Sequence, residues 1–172
     1  PPRSTLFPYT TLFRSRFANE DIGVADPQAL VQALAAKQAY DFIGSPEGEL
    51  ALAQCVIFLA TAPKSNSVYR AFNSAVSVAQ ETGSLMPPKH ILNAPTRLMK
   101  DFGYGVGYTY DHNSEDAFSG QNYFPEGMSR ETFYAPSSRG YEQEIEKRLQ
   151  HWRMLRARDR KSTRLNSSHV LI

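Results

Sequence analysis

Four basic side chains set near turns, Lys64, Lys89, Arg97 and Lys100, are the residues of this 172-residue chain whose type and placement most suit a chemical task. Each could meet a phosphate, and neighbouring tyrosines could stack on unpaired bases. The plainer reading is a solvated basic face. Catalysis has less to work with. His90, His112 and His151 have no carboxylate or second histidine at ligand spacing, so no metal residue is assigned. Glu115-Asp116 pairs two acids, but in a polar loop such a pair is ordinarily solvated. Serines and histidines never fall into a nucleophile elbow. Cys55 lies in an apolar run and reads as a buried small hydrophobe rather than a reactive thiol.

Nucleotide hydrolysis needs a phosphate cradle: backbone N–H groups, a lysine for the β and γ phosphates, and a hydroxyl for magnesium. No glycine here is followed by Lys-Ser or Lys-Thr in that frame. GYGVGY at Gly103–Tyr108 is glycine-rich but lacks the lysine, and no apolar strand ends in paired acids. The sequence therefore assigns no catalytic and no cofactor-binding residue. A single cysteine cannot form an internal disulfide, which points to a cytosolic chain, and no apolar run is long enough to span a bilayer.

The positioning elements are mostly helices. Arg16–Gly23 reads as the tail of one. Asp26-Pro27 starts the next, with Ala29, Ala33, Ala36, Tyr40 and Ile43 on one stripe and Gly44 as its stop. Ser45-Pro46 predicts another start. From Leu50 to Ala60 only Gln54 is polar, so that helix is expected to be buried nearly all round, at the centre of the core. Pro63 breaks the pattern, and Ser65 or Asn66 caps a third helix striped by Val68, Tyr69, Phe72, Val76 and Ala79 and closed by Gly83. Short turns make these antiparallel neighbours. Pro87-Pro88 forces an extended link into a short basic helix. Asn93 is expected to cap it and Pro95 to fit its first turn, with Leu98, Met99 and Phe102 inward and Gly103 as the stop. From Gly105 to Pro136 tyrosines and phenylalanines alternate with Gly, Asn and Ser. GYTYDH suggests a short strand that Glu131–Tyr134 could pair with. Tyr141 to Arg158 is the last helix, striped by Tyr141, Ile145, Leu149 and Trp152.

The order of these pieces carries a resemblance. LNAPTRLMK with its GYG exit, NEDIGVADPQAL at Asn19–Leu30, SPEGELALAQCVIFLATAPKSNSVYRAF at Ser45–Phe72, YFPEGM at Tyr123–Met128 and FYAPSSRGYE at Phe133–Glu142 together resemble the C-terminal domain of the RarA/MgsA family. These are AAA+ ATPases linked to replication and recombination and related to the eukaryotic Werner-helicase-interacting ATPase. The positions that match the family's motifs are Asp21, Gly23, Asp26, Pro27, Pro46, Glu47, Gly48, Pro63, Lys64, Ser65, Asn66, Asn93, Pro95, Thr96, Leu98, Met99, Lys100, Gly103 and Gly105.

The resemblance implies a mainly α fold, an antiparallel helical bundle like a clamp-loader collar, with an irregular aromatic arm holding at most a small β-hairpin. It implies a domain that joins AAA+ subunits into a tetramer, or a module anchoring the ATPase on single-stranded or forked DNA. ATP and magnesium would belong to modules N-terminal to Arg16 in the parent protein. The implied partners are further copies of itself, DNA and a single-stranded-DNA-binding protein, in the cytoplasm near the nucleoid. Residues 1–15, with their near-repeat STLFPYTTLF, and 160–172 match nothing in the family and read as adapter or cloning sequence. Residues 16–159 are the expected domain, with helices to 105, the arm at 106–136 and the last helix at 137–159. The flanks hold Arg3, Arg14, Arg160, Lys161 and Arg164 and no acids before Arg16 or after Asp159. Taking those five from 19 leaves 14 basic against 17 acidic residues, a formal charge of −3. Charge alone is thus no argument for nucleic-acid binding.

Overall fold

The computed structural model describes residues 13–113 and 117–168, with side chains described as far as residue 158. The near-repeat before residue 13, the paired acids Glu115-Asp116 and the side chains of the C-terminal flank lie outside the described residues. The fold is mainly α and fits a helical bundle. It divides into two compact units, Pro1–Val78 with Phe133–Glu146, and Ala79–Thr132 with Lys147–Ile172.

In the first unit, helical residues 13–17 run into a π turn at Ala18–Ile22 and a 3-10 turn at Gly23–Ala25. Helix α1, Gln28–Ile43, starts as expected: the Asp26 carboxylate accepts from the Gln28 N–H at 3.0 Å, and the Asp26 carbonyl accepts from Ala29. Ala29, Ala33 and Ala36 are buried. These small side chains let helix α2, Glu49–Thr61, lie close against α1 as a helical hairpin. Gly44 stops α1 at φ 79°. The connection departs from expectation. Ser45-Pro46 belongs to a turn rather than a helix start, and α2 begins only after Gly48, where turn bonds from Glu49 and Leu50 to the Pro46 and Glu47 carbonyls close. Gly48 is required there, since a Cβ would stand 2.6 Å from the Gly44 carbonyl oxygen.

The core gathers Ala18, Ile22, the three α1 alanines, Leu52, Cys55, Leu59 and Ala62, with Phe17, Tyr40 and Phe58 against it. Cys55 is buried, and that burial pushes its thiol above the ordinary range. The all-round burial expected of α2 is not what forms. Leu52, Cys55 and Leu59 face the core, while Leu50 is 76% exposed and Ile57 66%, with Val56 beside them. Helix α3, Ser67–Thr82, repeats this: it is capped by Ser65, whose Oγ accepts from the Ser67 N–H, yet its expected inward stripe of Val68, Tyr69, Phe72 and Val76 is exposed. An apolar stripe in one sequence marks a face that wants cover, not which molecule supplies it.

In the second unit, Lys89–Ile91 forms a 3-10 turn and Arg97–Asp101 the short helix α4. Its cap is Thr96, whose Oγ1 accepts from the Met99 N–H at 3.3 Å, not Asn93. Pro95 precedes that cap. Leu98 and Phe102 are exposed, against expectation, and only Met99 is half-buried. Gly103 provides the stop at φ 79°. The aromatic arm holds no strand among the described residues, and Asp111–Asn113 is a 3-10 turn. Side chains do the work of a ladder: Gln121 Nε2 donates to the Gly107 carbonyl at 2.8 Å, Arg130 to the Gln121 carbonyl, and the Ser119 N–H to Asp111. Hydrogen bonds from Ser119 hold the Asp111 carboxyl below its ordinary range.

The last helix, α5, spans Glu142–Ser168, beyond the expected end at Arg158. No glycine or proline follows Gly140, so nothing in the sequence stops it. Ile145 and Leu149 of its expected stripe are half-buried, while Tyr141 and Trp152 are exposed. Among the described residues no helix is long and apolar enough to cross a membrane.

Candidate functional site

Three of the matching segments converge in the first unit, and a buried carboxylate stands where they meet. The Ser65 N–H donates to the Asp21 carbonyl at 2.7 Å, and the Tyr141 N–H donates to the Ala25 carbonyl at 2.8 Å. Arg139 donates to the Lys64 carbonyl at 3.1 Å. At the first residue of α5, Glu142 is fully buried. It accepts from Ser65 Oγ at 2.8 Å, Ser67 Oγ at 3.5 Å, Tyr134 Oη at 2.9 Å and the Ser137 N–H at 2.7 Å, and from the Ser137 hydroxyl. Burial by itself pushes this carboxyl up; bonds from Ser137, Ser65 and Tyr134 together outweigh it and hold the pKa below its ordinary value. Tyr134 moves the other way, raised by burial and then by its bond to Glu142. A charge so satisfied is structural. It ties the start of α5 to the start of α3.

Glycines complete the joint. Gly140 has φ 53°, and a Cβ there would lie 2.1 Å from the Ala25 carbonyl oxygen and 2.9 Å from Pro63. At Gly23 (φ 55°) a Cβ would press Val68 at 3.2 Å. The conformation and the space both demand glycine.

The basic candidates separate. Lys64 directs its ammonium at the carbonyls of Leu59 (2.6 Å), Ala60 (3.3 Å) and Ala62 (2.6 Å), and lies 5.3 Å from the Phe17 ring centroid. All three of its protons are directed at carbonyls at the C-terminal end of α2, so in this structure the ammonium is engaged there. Lys89, Arg97 and Lys100 all belong to the second unit and are exposed, without an ion pair among the described residues. Asn66 contributes its carbonyl to the Arg70 N–H, and the Gly105 N–H fixes the Lys89 carbonyl at 2.8 Å. Asn93, released from capping, lines a cavity with Tyr108 and Tyr123. Among the described residues no group of three His, Cys, Asp or Glu could hold a metal ion. Ser137, Ser67 and Gly140 carried no individual role in the sequence reading, Tyr134 entered it only as part of a suggested strand, and Glu142 only as an acid near the start of the last helix that suits the helix dipole. The signal for them was the serine pair on each side, KSNS and APSS, facing a single glutamate.

Residues 12–153 match the family model described as MgsA AAA+ ATPase C terminal. The chain belongs to the MgsA AAA+ ATPase C-terminal family. Replication-associated recombination protein A of Coxiella burnetii is 48% identical over 141 residues, covering 81% of this chain and 32% of that protein. The protein of the same name from Escherichia coli K12 is 44% identical over 133 residues, covering 77% of this chain and 30% of the relative. ATPase WRNIP1 of Dictyostelium discoideum is 42% identical over 120 residues, 69% of this chain and 14% of its own length. This MgsA C-terminal chain thus spans about a third of the length of those bacterial relatives. The family match contains the whole Glu142 joint, from Asp21 to Glu142.

Proposed function

We propose that this chain is the assembly module of a RarA/MgsA-like AAA+ ATPase acting in replication-associated recombination, holding its subunits together as a tetramer. It does not hydrolyse ATP itself; ATP and magnesium belong to the ATPase module of the parent protein. The observation that carries this reading is the apolar surface of the first unit: Leu50, Val56 and Ile57 on α2 and Val68, Phe72 and Val76 on α3 are exposed, on helices otherwise well formed. Covering one such side chain completely contributes about 1.5–3 kcal/mol, a gain that several of them together set against the cost of association. The parent ATPase supplies the reason for self-association, and the names of the relatives supply the setting. The alternative, a module that anchors the ATPase on DNA, loses Lys64 and keeps only the basic residues of the second unit.

Gel filtration of the 172-residue chain and of its Ile57→Asp and Phe72→Asp variants tests the reading. The parent chain is expected to elute as an assembly and both variants at smaller size, with unchanged far-ultraviolet dichroism. Variants that elute with the parent would refute a role for this surface. ATP turnover by the isolated chain would overturn the second half of the proposal.

A further inference from the structure

The turn that joins α1 to α2 ends in an apolar tip. Phe42 is 92% exposed there, with exposed Ile43 beside it and exposed Leu50 across the turn. Phe42 therefore stands out from its own chain with almost no cover. The stretch Asp41–Leu50 also holds Asp41, Glu47 and Glu49 and no basic residue. Asp41 is paired with Lys37, and Glu49 accepts from Ser45 Oγ at 2.7 Å. Glu47 is exposed and has no ion pair among the described residues.

The second unit carries a hollow of matching chemistry. About 400 Å³ in volume, it is lined by Leu85, Met86, Phe102 and Tyr104, with Lys89 and Glu126 as charged members of the lining. Met86 and Phe102 are exposed, and the Phe102 and Tyr104 rings lie 6.4 Å apart at 39°. That volume is at the low end for a small molecule, and its walls suit one further aromatic ring. From Leu85 to Tyr104 the chain holds Lys89, Arg97 and Lys100 against Asp101. With Glu126 added, the balance is still positive where the tip is negative.

We propose that this hollow receives Phe42 from a second copy of the chain, with Glu47 of that copy set toward Lys89. The ring supplies the apolar gain, and the opposite charges at the rim select the orientation. Each chain carries both the tip and the hollow, so the contact is head-to-tail rather than self-complementary, and successive copies can close a ring. The inference rests on the assembly reading above and adds which parts of two copies meet.

The test uses Phe42→Cys and Met86→Cys, both at exposed positions of the full chain, while the native Cys55 is buried. The two variants are oxidised with copper phenanthroline separately and mixed. The mixture is expected to give a disulfide-linked dimer on a non-reducing gel that neither variant gives alone. The double variant should give a ladder of higher multiples. A dimer from Phe42→Cys alone, or a double variant whose disulfide closes within one chain, overturns the proposal. Absence of the mixed dimer in material that light scattering shows to be assembled gives the hollow to another occupant and leaves the assembly reading standing. A single-copy mass for the unsubstituted chain at every concentration overturns both. Charge reversal checks the orientation. Glu47→Lys and Lys89→Glu are each expected to raise the dissociation constant about fivefold, and the chain carrying both to return near the unsubstituted value. Effects that simply add in that double variant overturn the placement of Glu47 at Lys89.

Discussion

Glu142 is the residue on which the most separate parts of the chain depend. Its five donors come from Ser65, Ser67, Tyr134 and Ser137. Removing the carboxylate strands several buried hydroxyls and an N–H, each costing about 1–3 kcal/mol, so Glu142→Ala is expected to lower unfolding free energy by at least about 3 kcal/mol in urea titrations. The pH dependence follows from the direction of its shift. The native pKa lies below the unfolded value near 4.5, so the stabilisation is fully present above that pH and is lost as pH falls through the native pKa. Urea midpoints should therefore drop on acidification below about pH 4.5, and less steeply in Glu142→Gln, which has no charge to lose. A slope unaltered in that variant would show that other carboxylates govern the acid limb. Gly140→Ala is expected to cost about 2–4 kcal/mol, since it combines a left-handed backbone with a contact at 2.1 Å. None of this was visible residue by residue. A glutamate at the first position of a helix ordinarily reads as a favourable charge near the dipole, and only the fold brings KSNS and APSS to it.

At the scale of elements, α1 was legible because its signals are local: Asp26 caps, alanines recur on one stripe, and Gly44 stops. The short helix α4 was legible in place but not in its cap, because Asn93 and Thr96 are both good capping residues and Pro95 stands between them. The extent of α5 was misjudged because family likeness ends near Arg158 while helical propensity does not. The α2 and α3 stripes show the larger limit. Burial against one's own chain and burial against another molecule leave the same periodic pattern, so Leu50, Ile57 and Phe72 read as core when they are surface. Lys64 offers a test at this scale. Lys64→Met removes a cation from the carbonyls that end α2, and is expected to destabilise the fold by about 1–2 kcal/mol in thermal or urea unfolding. It should leave any oligonucleotide affinity unchanged, and a loss of binding would restore the residue to the surface role its sequence suggested.

For the whole molecule, the notable imbalance is a core built largely of alanines beside a surface carrying large aliphatic and aromatic side chains. Such a chain holds its shape through close helix contact and the Glu142 joint, and keeps its larger side chains for something else. On the proposed reading, that surface is where copies of the chain meet. Multi-angle light scattering on the purified 172-residue chain, run across a concentration series into the high micromolar range, tests it most directly. The expected mass is four times the 19.3 kDa of the single chain, falling toward one copy in Phe72→Asp. A mass of one copy at every concentration would contradict it.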